Sequence, residues 1–275
     1  MPPLWLLEKG SVVHNVRGLP VGNALLVRGH EIGWSGTIAN DETRDIYFKH
    51  ALKTNLRGRC VVPGFIDNYL SLNKLGEILT WFYDLRHLRT VGEVQGWLRQ
   101  IRQREPDLRF VIGHHLDLLG GQKLTAADLD LAMPDLPVFI LQKGEKTATV
   151  NSLLLKLARL GLPNWLRKGK KVFSTEPLRG RGELPADLHA LARAVLPKPS
   201  RSDRVEMLLA AQRLALSQGI TTAFEPEMDA DLFDIFQDLE AMGLLWMRVR
   251  GSFSWGKKAN LKIFARASSR SHTEG

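Results

Sequence analysis

Cysteine occurs once in the 275 residues, at Cys60, which excludes an intrachain disulfide and a zinc cage built from thiolates. The expected compartment is therefore the reducing cytoplasm. No stretch approaches the ~18 consecutive apolar residues of a membrane-spanning helix, so no membrane partner is expected. The apolar run Leu4-Trp5-Leu6-Leu7 has no basic leader and breaks at Glu8, too short for a secretory signal. Also missing are a Gly-x-Ser-x-Gly elbow and a Walker loop, while Gly180-Arg181-Gly182 lacks the third glycine of a dinucleotide fingerprint. What is present, 44% hydrophobic and 24% charged residues, is the composition of a globular chain with a substantial core.

The net charge of +9 raises the question of nucleic acid. Its carriers are scattered over Arg99 to Arg104, Arg167 to Lys171, Arg179 to Arg181, Lys198 to Arg204 and Lys257 to Lys258, with no interleaved stacking aromatics. Neither a zinc-finger nor an RNA-binding signature accompanies them. A solvated basic surface is expected, not a nucleic-acid interface.

Organisation changes near residue 58. Ser11 to Val16 and Ala24 to Trp34 read as short strands of a small antiparallel sheet, and residues 40–57 are polar and unassigned. Beyond them, Val61 to Asp67, Phe110 to Gly113, Val138 to Leu141, Ile220 to Phe224, Leu245 to Val249 and Leu261 to Ala265 are apolar runs suited to strands buried on both faces. Helical spacing recurs between them at Val91, Val94, Leu98 and Ile101, at Leu184, Leu188, Leu191 and Val195, and at Leu232, Ile235, Phe236 and Leu239. Asp203 with Glu206 reads as a capping box, with Gly219 as the helix stop. Alternation of this kind predicts an α/β fold of β-α-β units. The expected domains are a small β-sheet portion over residues 1–57 and a β/α portion over 58–275.

One segment carries more than fold. Val61-Val62-Pro63-Gly64-Phe65-Ile66-Asp67 is followed by Asn68-Tyr69-Leu70-Ser71. Further along come Phe110-Val111-Ile112-Gly113-His114-His115-Leu116-Asp117, Leu124 to Asp130 leading to Met133-Pro134-Asp135, Val150-Asn151-Ser152, Gly219-Ile220-Thr221-Thr222 and Lys262-Ile263-Phe264-Ala265. In this order they resemble the amino-terminal half of an amidohydrolase of the amidohydrolase-3 type, a group that includes N-substituted formamide deformylase-like proteins. The resemblance implies a β/α barrel with a small amino-terminal β-sandwich and zinc or another divalent metal at the carboxyl ends of the strands. Such a metal makes hydroxide available near neutral pH and the family hydrolyses non-peptide carbon–nitrogen bonds of amide-like small molecules.

The departures from that pattern shape the functional expectation. Relatives carry x-His-x-His after Pro-Gly-Phe-Ile-Asp, and two imidazoles two positions apart on a strand face one ion. Tyr69 and Ser71 stand there in this chain. Lys146 and Glu225 fall where relatives have His and Asp, and Arg266-Ala267-Ser268 replaces Asp-Gly-Ser. His114 and His115 are adjacent, so on a regular strand they face opposite sides, whereas His115 and Asp117 share a face and supply two ligands. The candidate pocket is accordingly Asp67, Tyr69, Ser71, His115, Asp117, Lys146 and Glu225, with no metal expected in this chain.

An incomplete barrel also leaves an apolar edge, for which self-association or a second chain completing the barrel is expected. The expected function is that of an amidohydrolase-like protein, incomplete and weakly active or inactive. The alternative is a non-catalytic small-ligand binding or scaffold protein reusing the fold.

Overall fold

The computed structural model describes residues 3–14, 20–144, 146–161 and 182–253. These fall into two compact units: one runs up to Asp67 and takes in Gln218–Thr222, the other comprises Asn68–Ser217 and the described residues from Ala223 on. The strand expected at Leu261 to Ala265, the Gly180-Arg181 pair and the basic runs at 167–171 and 257–258 lie outside the described residues.

The first unit is built on β1 (Leu4–Glu8), β2 (Ser11–Val12), β3 (Ala24–Arg28), β4 (Glu31–Gly36), α1 (Asp41–Tyr47), β5 (Leu52–Asn55), β6 (Cys60–Val61) and β7 (Phe65–Asp67). Four of these strands form one sheet in the order β4-β3-β1-β5, and β2 pairs with β6. Leu6, Ala24 and Leu26 are its buried centre, covered by Trp34 and Phe48, whose rings meet 5.2 Å apart. The polar stretch left unassigned by its composition supplies α1 and β5. Asn40 caps α1 by accepting from the Thr43 amide at 2.8 Å. Because β5 runs parallel to β1, this sheet is mixed and not purely antiparallel.

The second unit holds α2 (Leu72–Trp81), β8 (Phe82–Asp84), α3 (Val91–Arg104), β9 (Val111–Leu116), α4 (Ala126–Ala132), β10 (Val138–Gln142), β11 (Thr147–Val150), α5 (Ser152–Gly161), β12 (Glu183–Pro185), α6 (Ala186–Arg193) and α7 (Arg201–Ser217). After these come the later part of β13 (Ile220–Met228), α8 (Ala230–Ala241) and β14 (Arg248–Phe253). The main sheet has the order β12-β11-β10-β9-β8. Strands β8, β9 and β10 are parallel, β11 runs antiparallel to β10, and β12 pairs antiparallel with β11. Alternation sends Val111, Val138 and Ile140 to one face, against Val94 and Leu98 of α3 and Leu129 of α4. Ile112, Phe139 and Leu141 go to the other face, against Leu154 of α5 and Ala192 of α6. Burial on both faces stabilises each such side chain by roughly 1.5–3 kcal/mol, which explains the continuous apolar runs.

Helices α2 and α7 approach closely because Gly76 has no side chain: a Cβ there would lie 2.2 Å from the Met207 carbonyl oxygen. Capping chemistry sets the helix starts. Thr90 with Glu93 and Thr125 with Asp128 form complete capping boxes on α3 and α4. The box on α7 is Ser200 with Asp203, one turn earlier than the Asp203–Glu206 pairing expected from the sequence. Pro185 is the N-cap of α6, and Gly219, with φ +78, follows the end of α7.

The sheets formed by the described residues are open, and they do not close into a barrel. The expected single strand from Val61 to Asp67 is interrupted at Pro63-Gly64 into β6 and β7, as a residue without a backbone N–H interrupts a ladder. Expected strands at Phe110, Ile220 and Leu245 are shifted or longer, ending at Leu116, Met228 and Phe253. Among the described residues no helix is long and apolar enough to cross a membrane.

Candidate functional site

Among the residues singled out by sequence, Ser71 and Glu225 are in direct contact. Asp67 ends β7 in the first unit, half-buried. Tyr69 is 91% exposed. Ser71 is the N-cap of α2, accepting from the Lys74 amide at 3.2 Å, and its hydroxyl donates to Glu225 Oε1 at 2.6 Å. Glu225 is buried, and its Oε2 accepts from the Asn73 amide at 3.1 Å. Ser71 and Glu225, 154 positions apart, are therefore brought together, and their hydrogen bond ties the start of α2 to β13.

A divalent cation does not fit the Tyr69 and Ser71 positions. The phenol points to solvent and the serine oxygen is already committed as helix cap and donor, so neither supplies an open, charged or strongly basic donor. Lys146 is exposed.

Asp117 belongs to a polar cleft at the carboxyl ends of β9 and β10. It accepts from Lys143 Nζ at 2.8 Å and lies 3.5 Å from Arg89, and the lysine hydrogen bond holds its carboxyl below the usual range. Gln122, Lys123, Gln142 and Glu183 line the cleft with it, over a floor that includes Leu116, Leu118 and Leu124, and its volume is about 170 Å³.

His115 does not line this cleft, and the backbone gives the reason. Its φ is +60, the left-handed region. Opposite it on β10 the register slips, with Gly113 facing Ile140 and Leu116 facing Gln142, so two residues of β9 stand against one of β10. This is a bulge, a device that re-aims side chains beside functional sites. Alternation fails at this point, and the imidazoles of His114 and His115 lie side by side. The expectation that adjacent histidines face opposite sides is thus corrected by the bulge.

On β8, Asp84 is the register partner of His114. One ligand atom from each of Asp84, His114 and His115 falls within 4.8 Å of the other two. His114 is 8% exposed and packs edge-on to Phe82, while His115 Nδ1 is buried and accepts or donates no hydrogen bond among the described residues. The Asp84 carboxylate receives Arg86 Nε at 2.8 Å and the Arg86 amide at 3.0 Å, which keeps its carboxyl far below the usual range. Sequence reasoning missed Asp84 because β8 is three residues long and directly continues α2.

The pattern of the amidohydrolase family matches residues 54–273. The chain belongs to that family. It is 25% identical over 233 residues to "Protein LONG AFTER FAR-RED 3" of Arabidopsis thaliana, spanning 80% of this chain and 38% of that protein. The fold is shared with an uncharacterized metal-dependent hydrolase of Pyrococcus furiosus, at TM-score 0.71 and 21% identity over 97% of this chain and 52% of that one. A second such hydrolase, from Pyrococcus horikoshii OT3, gives TM-score 0.71 and 22% identity, with 50% of its length covered. The chain thus spans about half the length of these solved structures, and less of the plant protein.

Proposed function

We propose that this chain is an amidohydrolase-family scaffold that lacks the family's water-activating centre at the end of β7 and does not by itself hydrolyse amide-like small molecules there. One observation carries this reading: the place of the second family histidine is held by Ser71, whose oxygen caps α2 and donates to buried Glu225. With Tyr69 turned to solvent, nothing at this position sharpens a water into hydroxide. Hydrolysis of non-peptide carbon–nitrogen bonds belongs, in this reading, to the wider family and not to this segment.

A second reading is favoured by the cleft around Asp117 and Lys143, whose paired charges and amides suit a small polar ligand. The experiment for the first reading is amine release from simple N-formyl and N-acyl amines with zinc added. Release at the buffer rate, unchanged in Ser71→Ala, is expected. Metal-dependent release that Tyr69→Phe or Ser71→Ala abolishes overturns it.

A further inference from the structure

We infer that Asp84, His114 and His115 form a binding site for a divalent transition-metal cation of the zinc class, using residues other than those at the family's β7 position. The inference is independent of the reading above. It starts from the donor set: two imidazoles and one carboxylate are what zinc and its neighbours select, whereas magnesium and calcium take oxygen ligands. Three protein ligands with a position left for water is the composition of an open site.

Geometry supplies the second support. The donors already converge to within 4.8 Å, from the adjacent parallel strands β8 and β9. Ligands about 2.0–2.2 Å from one zinc ion lie less than about 4.4 Å apart, so a small side-chain rotation brings all three onto one ion. The strands end here at their carboxyl termini, where α/β sheets place ligands.

The third support is the orphaned atom. His115 Nδ1 is buried without a hydrogen bond among the described residues, and the bulge that puts it there holds a non-glycine residue at φ +60. Both features cost stability: a buried polar atom without a partner and a left-handed histidine each call for compensation. A cation held through Nδ1 would supply that atom with a partner. Nothing else near it does so among the described residues.

One feature opposes the cation and sharpens the test. Arg86 places its guanidinium on the Asp84 carboxylate, as a competing positive charge whose side chain is 73% exposed and free to swing outward. Loading should therefore weaken the Arg86–Asp84 pair, and removing the guanidinium should favour the metal.

The experiment is titration of the purified, chelator-treated chain with cobalt(II), read by its visible absorption, and with zinc(II), read by calorimetry. One equivalent with saturable binding is expected. Asp84→Asn and His115→Gly should each weaken it about tenfold or more. Arg86→Ala should tighten it. Asp84 is at the surface and glycine suits φ +60, so both ligand variants are expected to keep the fold, as circular dichroism will show. Binding that is absent in the parent chain, or indistinguishable among parent, Asp84→Asn and His115→Gly, overturns the inference. Loss of binding on Arg86→Ala, despite intact fold, also counts against it.

Discussion

The ring centroids of His114 and His115 lie 4.2 Å apart, with the rings tilted by 37°, although the two residues are consecutive on a strand. Regular pleating sends neighbours to opposite faces. The left-handed φ of His115 and the slip between Ile140 and Gln142 undo that alternation at a single position. The same pair of backbone features brings His115 to Asp84.

His115→Gly therefore tests the backbone account apart from any ligand. Left-handed strain on a side chain costs about 1–2 kcal/mol, and glycine trades part of that relief for chain entropy. The variant is expected within about 1 kcal/mol of the parent by urea unfolding. His114→Gly, at a buried position without positive φ, is expected to lose roughly 1–3 kcal/mol more. Equal losses at both positions would contradict the bulge.

The Ser71–Glu225 contact predicts a stability cost with no catalytic counterpart. Ser71→Ala removes a helix cap and leaves a buried carboxylate short of one donor, for an expected loss of about 1–3 kcal/mol. Tyr69→Ala, at an exposed position, should change stability by less than about 0.5 kcal/mol. Thermal unfolding of the two variants side by side checks this.

Gly76→Ala should loosen the α2–α7 packing. A methyl group at 2.2 Å from the Met207 carbonyl oxygen cannot be housed without moving one helix against the other, and overpacking of this kind costs about 1–3 kcal/mol. Gly92→Ala and Gly96→Ala on α3, where a Cβ meets nothing within 4 Å, should be neutral or stabilising. Unfolding midpoints that rank the variants in the opposite order would contradict the packing.

Acid sensitivity of the first unit is expected from Asp45. Hydrogen bonds from Arg44 at 3.0 Å and Lys53 at 2.8 Å hold its carboxyl at about 2. A depressed folded value means the stabilisation is present above the unfolded carboxyl value near ~4 and is lost as pH falls toward 2. Asp45→Asn should flatten the acid limb of a stability-against-pH profile between about pH 4 and 2, and raised salt should mimic it because the pair is exposed. An unchanged limb would remove Asp45 as its cause.

Much of the second unit was legible in the sequence, since Val111, Val138 and Ile140 are buried on a two-sided sheet and the periodic apolar residues of α3 are part of their cover. The family resemblance was carried by motifs such as Val150-Asn151-Ser152, where Asn151 is wholly buried and bonds Val138, Leu136 and Leu154. Closure was not legible, because the antiparallel pairings of β11 with β10 and of β12 with β11 are set by register between segments and not by either segment alone. Nor was the His114–His115 arrangement, since a bulge is a property of two strands in register and not of either sequence alone. Asp84 was hidden by the brevity of β8. Ser71 and Glu225 were both singled out, and the hydrogen bond that joins them spans 154 positions, a contact no local pattern announces.

The central claim is that this chain offers a cation Asp84, His114 and His115 in place of the residues at 69 and 71. Anomalous diffraction at the zinc edge, from crystals of the purified chain grown with one equivalent of zinc, locates the ion directly. The account predicts a single strong peak at about 2.0–2.1 Å from an imidazole nitrogen of both His114 and His115, with an Asp84 oxygen completing the set. A peak beside Tyr69 and Ser71, or no ordered peak between the two histidines, would contradict it.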